Sequence, residues 1–456
     1  MKIPFPIVEA KHAIASGAVQ STRLASRFLD AQRKSAPLLL TATAVGAVTG
    51  AIASVFHLLM DWAEHLRNTH WHSDSPVVIW VLIPLAIVVC VLLSVRLVRR
   101  RAPEAGGSGV QVVEGALDGV MPMRWKSVIP VKFVGGSLAL GSGLLMGREG
   151  PSIQIGASIG KAFVDLLRLP KTMIHSLVAA GAGAGLTAAF NAPFAGILFV
   201  VEEMRPQFHY SVLSVQAVVL ACAVSDVVTR FIVGDVMAIS MPILAMPEQG
   251  TLWLFVLFGM LFGLVGFVFE RLLLGSLDWF SALPRGRLIA GIVVICLSIG
   301  WLGAVDLRFV GGGEDVLEGF LTVKSATSVL GMVFTVRFLA TIASYSTGAP
   351  GGLFAPMLAL GTIGGVAFGE MVQALGLGGA LVPAHFAVAG MGAFFAAVVR
   401  APLTGIILTA EMTGNFTQIL PLMLTCMAAT ITTRGLGTRP VYTALLERAL
   451  AREGEG

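Results

Sequence analysis

Apolar residues run along this chain in long blocks separated by short polar or glycine-rich breaks, and the block lengths predict two kinds of helix. Blocks at 38–60, 77–97, 212–233, 252–274 and 354–375 reach the roughly 20 residues needed to cross a bilayer. Those at 110–117, 150–167, 174–190 and 193–201 are short or interrupted, as half-helices would be. Further apolar segments fall at 129–146, 288–302, 328–344, 386–399, 403–410, 419–431 and 441–450, with a more polar stretch at 308–318. The pattern predicts an all-α protein that passes the membrane many times.

Two opposite charges interrupt this pattern at Gly147, Arg148, Glu149, Gly150 and Pro151. An ionisable side chain at bilayer depth costs about 2.5–3.5 kcal/mol on insertion scales, so it faces a protein-lined or watery cavity and serves a function there. Pro151 suits the first turn of a helix, where no N–H is required. A helix is therefore expected to start here, with its unpaired N–H groups and positive dipole end forming an anion site inside the membrane.

The frame recurs. Gly147, Pro151, Gly156 and Gly160 keep their spacing in Gly352, Pro356, Gly361 and Gly365, 205 residues later. Ala180, Gly181, Gly183, Ala192, Pro193, Gly196 and Glu202 reappear, 209 residues on, as Ala389, Gly390, Gly392, Ala401, Pro402, Gly405 and Glu411. A duplicated membrane unit broken by Gly and Pro at matching positions points to a transport site between its halves. Phe354 stands where the first copy has Glu149, so the halves share scaffold and differ in chemistry.

Composition agrees: of 456 residues 56% are hydrophobic and 12% charged, outside the range of soluble domains. The 53 glycines suit closely packed membrane helices. The net charge of +5 is explained by topology rather than by nucleic acid, because the basic residues collect at the termini and in short loops. A cytoplasmic N-terminus makes the loop with Arg96, Arg99, Arg100 and Arg101 cytoplasmic and leaves 65–76 outside. Residues 1–36 read either as a basic amphipathic helix on the membrane surface or as a loose cytoplasmic tail. No signal peptide is expected. Cys90, Cys222, Cys296 and Cys426 read as core residues, and eight histidines without a His-Glu-x-x-His pattern argue for no metal or other cofactor.

Gly107-Ser108-Gly109, Gly147-Arg148-Glu149-Gly150-Pro151, Gly352-Leu353-Phe354-Ala355-Pro356 and Tyr442 resemble the four signature motifs of the CLC family of chloride channels and proton/chloride exchangers, in the same order. The resemblance covers nearly the whole chain. It implies a CLC-type fold of two inverted-topology repeats of tilted, partly broken helices, here 37–233 and 250–432. The rest, 433–456, is expected as a short helix and cytoplasmic tail without a soluble regulatory (CBS) domain. It also implies a homodimer in a prokaryotic inner (plasma) membrane, both termini cytoplasmic; the contact is expected through 193–232 and 403–432, whose apolar faces exceed what packing within one subunit needs.

By the same resemblance chloride meets Ser108, Gly109, Gly150, Leu353, Phe354 and Tyr442, through backbone amides and two hydroxyls. Glu149 is the external gate and proton acceptor, and Glu203 the internal proton acceptor found in exchangers. Gln111 departs from the proline common in the first motif. Blander readings stand beside these: Ser108 in a flexible turn, Tyr442 as an interfacial anchor, Glu149 paired with Arg148, and Glu202 and Glu203 as solvated carboxylates, with Glu202, Arg205 and Glu411 in structural ion pairs.

The expected activity is antiport of chloride and protons. A passive chloride channel is the first alternative, and an intramembrane hydrolase using Ser108 lacks a nearby histidine base. The chain is not expected to be an enzyme.

Overall fold

The computed structural model describes residues 7–204, 210–235, 238–313, 317, 319, 320 and 326–454, with side chains described for those between 35 and 451. The first half contains α1 (Ile7–Trp71), α2 (Ile83–Arg101), α3 (Val110–Leu117), α4 (Trp125–Gly141), α5 (Glu149–Leu166), α6 (Ile174–Phe190), α7 (Pro193–Glu202) and α8 (Val212–Val233). The second contains α9 (Leu252–Ala282), α10 (Arg285–Val305), α11 (Thr327–Ser346), α12 (Phe354–Ala374), α13 (Pro383–Val399), α14 (Pro402–Thr413), α15 (Ile419–Gly435) and α16 (Val441–Gly454). Among the described residues nine helices are long and apolar enough to span a bilayer.

The expected starts at 110, 174, 193, 212, 252 and 354 coincide with helix starts; Gly109 precedes the first and Pro193 opens the third. The first span runs further than the apolar block suggests. Residues 65–71, expected in an external loop, remain helical because Arg67 Nη2 pairs with Glu64 at 2.6 Å and its guanidinium lies 5.5 Å from the ring centre of buried Trp71. Upstream, the basic segment is helical from Ile7 and continuous with this span, while the face its charges take lies outside the described side chains.

The matched glycines do the same work in both halves. A β-carbon on Gly156 would collide with the carbonyl oxygen of Gly181, and one on Gly361 with that of Gly390. Helices α5 and α6 therefore cross backbone to backbone, as do α12 and α13, the close approach that small residues allow where lipid gives no hydrophobic drive.

Two contacts show that the halves are inverted relative to each other. Gly147 and Gly352, equivalent positions of the two copies, form an antiparallel bridge: Gly147 N–H donates to Gly352 O at 2.9 Å and Gly352 N–H to Gly147 O at 2.7 Å. Such an exchange between equivalent residues requires a local two-fold relation.

Helices α7 and α14 repeat that relation. Each opens on a proline, which has no N–H to satisfy, and the next two N–H groups are orphans. Glu411, near the end of α14, accepts those of Phe194 (3.1 Å) and Ala195 (2.8 Å) at the start of α7. Glu202, at the end of α7, accepts those of Leu403 (3.0 Å) and Thr404 (2.7 Å) at the start of α14. These two carboxylates, expected in ion pairs, are thus reciprocal helix caps, favoured by the dipole at each start; Arg205 lies outside the described residues. Glu411→Ala is expected to lower stability by about 0.5–2 kcal/mol, as loss of a cap does, read as a lower midpoint of thermal unfolding in detergent.

Candidate functional site

The starts of α3, α5, α12 and α16 converge between the halves. The loop before α3 is fixed from both sides. Gly107 N–H donates to Ala349 O (3.2 Å) and Gly351 N–H to Gly107 O (3.0 Å), while the fully buried Nζ of Lys132 donates to Ala105 O (3.1 Å) and Gly107 O (2.7 Å). Gly109 caps α3 with φ of 92°, a left-handed conformation that glycine adopts without strain. A β-carbon there would also strike the side chain of Gln154. Gln111 sits in the first turn of α3, and its departure from proline does not displace the helix start, which the preceding Gly109 sets.

Glu149 opens α5 and is fully buried. Its Oε1 accepts the backbone N–H of Phe354, the first residue of α12, at 2.6 Å. The gap it fills is closed by glycines: a β-carbon on Gly147 or Gly352 would fall inside the Glu149 carboxyl group. Arg148 points elsewhere, its Nη1 pairing with Asp61 at 3.1 Å and its Nε donating to Ala189 O at 3.3 Å. Asp61 is also 3.2 Å from His57 Nε2. Adjacent residues on a helix face apart, and the guanidinium contacts of Arg148 are with Asp61 of α1 and Ala189 of α6.

The remaining expected residues surround this carboxylate. Gly150 lies against Ser108, because a β-carbon on it would overlap the Ser108 hydroxyl and approach Gly352. Leu353 is the buried N-cap of α12. The Phe354 ring packs at 5.9 Å from that of Tyr442, at 5.9 Å from Phe199 and at 4.7 Å from Phe395. Tyr442, the second residue of α16, is fully buried rather than interfacial. The hydroxyls of Ser108 and Tyr442 approach each other closely enough to interact, yet neither reaches good hydrogen-bonding geometry with another group among the described residues. Buried hydroxyls without a well-formed hydrogen bond are uncommon, because leaving one unmade is costly.

Glu203 is the C-cap residue just after α7 and is half-buried. Its N–H donates to the carbonyl of Phe199, whose ring touches that of Phe354, so one helical turn and one aromatic pair separate the neighbourhoods of the two glutamates. Glu114 of α3, 2% exposed, acts electrostatically on Glu203. Sequence reasoning passed over Glu114, Lys132 and Tyr345. The first two carried the signal used for Glu149, an ionisable residue within an apolar block, whereas nothing local marked Tyr345.

Half-helix starts from the two halves meet at a buried carboxylate and two buried hydroxyls, in a chain with nine helices among the described residues long and apolar enough to cross a bilayer, which is the build of a polytopic membrane protein. The model of the voltage gated chloride channel family matches residues 90–434, and the chain belongs to that family. It is 41% identical over 462 aligned residues to the H(+)/Cl(-) exchange transporter ClcA of Citrobacter koseri, covering 99% of this chain and 96% of that one. The same-named transporter of Vibrio parahaemolyticus is 42% identical over 422 residues, covering 91% and 90%. Among solved structures, a slow cyanobacterial Cl-/H+ antiporter superposes with a TM-score of 0.88 at 39% identity, over 91% of this chain and 99% of that one.

Proposed function

We propose that this protein is a secondary active antiporter that exchanges chloride for protons. The observation that carries the reading is the 2.6 Å bond from Phe354 N–H to the Glu149 carboxylate. A helix-start amide suited to an anion is occupied by the protein's own anion, so the two compete for one seat. Protonation removes the carboxylate's charge and with it the reason to stay, and chloride then takes the amide. In this scheme Ser108 and Tyr442 supply hydroxyls to chloride at the inner side, and Gly109, Gly150 and Leu353 line its path. Backbone and hydroxyl donors hold the ion weakly enough for it to leave.

Glu203 loads protons from the cytoplasm. Its position one turn from Phe199 supports this, as do the names of the related exchangers, which favour antiport over a passive channel. In liposomes an imposed chloride gradient is expected to drive protons uphill; chloride movement without it would leave the channel reading standing. Glu203→Val is expected to reduce proton flux to background while chloride flux persists, measured with a pH electrode and a chloride electrode in one vessel. Unaltered proton flux would remove Glu203 from the pathway.

The reading extends to an inner (plasma) membrane location with both termini cytoplasmic, supported by Arg99, Arg100 and Arg101 in the last turn of α2. It includes a homodimer through α7, α8, α14 and α15, where Phe194, Phe231, Leu403 and Ile431 present exposed apolar side chains. Cross-linking at native lipid density tests the dimer, and a monomer would count against it.

A further inference from the structure

A third buried hydroxyl lies beside the inner pair. Tyr345, on the last turn of α11 and 3% exposed, brings its phenol oxygen to 3.2 Å from the backbone nitrogen of Ser108 and accepts that N–H. The Ser108 N–H stands at the entry to α3, among the amides available to a bound anion. Tyr345 takes it out of that set and ties the Ser108 peptide to a ring fixed by burial. The close fit leaves little slack: a β-carbon on Gly107 would lie 3.1 Å from the Tyr345 oxygen, and one on Gly150 would overlap the Ser108 hydroxyl. The peptide is held on one face and the hydroxyl on the other, which aims Ser108 Oγ into the space it shares with Tyr442. Tyr345 and Tyr442 are also within electrostatic reach of each other.

We propose that Tyr345 is a positioning residue for the inner anion seat, setting its preference among anions through the Ser108 peptide. The proposal rests on the reading of Ser108 and Tyr442 as that seat. With the phenol oxygen present, a spherical halide meets one hydroxyl from Ser108 and one from Tyr442 at fixed angles. Without it, the freed Ser108 N–H turns toward the anion and the hydroxyl loses its aim, which favours a larger planar anion such as nitrate.

Tyr345→Phe keeps the ring and removes the oxygen. Titrating chloride and then nitrate into the purified protein by calorimetry, the variant is expected to bind chloride about three- to tenfold more weakly, the worth of one ordinary hydrogen bond. The chloride-over-nitrate preference is expected to narrow. In a Ser108→Ala background the hydroxyl has no aim left to lose, so the same substitution should cost less chloride affinity than in the wild type, while the backbone N–H it frees remains. Wild-type affinity and preference in Tyr345→Phe, or an undiminished effect in the Ser108→Ala background, would overturn the proposal.

A second readout does not depend on that variant folding. The chain has three tyrosines, so 3-fluorotyrosine labelling gives three fluorine resonances, assigned by difference from Tyr210→Phe and Tyr442→Phe. The Tyr345 resonance should move as chloride is added; one that stays fixed counts against the proposal. Both measurements are of equilibrium binding, so they stand whether or not protons are coupled to chloride, and failure of the antiport reading is told apart from failure of this one.

Discussion

Glu149→Ala is expected to abolish proton movement, lowering proton flux by about tenfold or more, equivalent to at least about 1.4 kcal/mol, while chloride still crosses. The side chain that accepts the Phe354 N–H is then gone, and chloride reaches that amide at any pH. Wild-type chloride flux should rise as the medium is acidified, because protonation empties the seat, whereas the variant's flux should be flat across the same range. Ion-selective electrodes on one liposome preparation read both. Coupled proton flux in the alanine variant would mean that another group carries protons past this point.

Gly147→Ala tests the seat without touching the carboxylate. The atoms a β-carbon would meet at Gly147 are those of the Glu149 carboxyl group, the far end of a side chain that can move, and the backbone bridge to Gly352 needs no change. Overpacking of this kind costs about 1–3 kcal/mol, which amounts to a shift of about five- to 150-fold in how often the carboxylate is seated. The expected result is a folded protein with faster chloride flux at neutral pH and fewer protons moved per chloride. Coupling unchanged from wild type, in protein with an unaltered thermal midpoint, would show that the carboxylate does not work from the position seen beside Phe354.

These effects turn on contacts that sequence placed only in part. The repeat could be read from paired glycines and prolines, and helix starts at 110, 149 and 354 from breaks in apolar pattern, because local chain chemistry sets both. Burial of Glu149 followed from the charge in an apolar block. Inversion followed only from the family resemblance and not from the matched residues, since a sequence match is blind to direction, and it became visible in the Gly147–Gly352 exchange and the crossed caps of Glu202 and Glu411. The partner of Arg148 was equally out of reach: Asp61 lies 87 residues away on a helix longer than its apolar block. Tyr345 belongs with these, because its role is defined by a residue 237 positions earlier rather than by its neighbours.

Competition between carboxylate and chloride for the Phe354 amide is tested most directly by crystals of the wild type and of Glu149→Gln grown in bromide, with anomalous scattering used to locate the ion. The account predicts bromide within hydrogen-bonding reach of Phe354 N in the glutamine variant and none at that position in the wild type while Glu149 is seated. Bromide at the same place in both proteins, or distant from Phe354 in both, would contradict it.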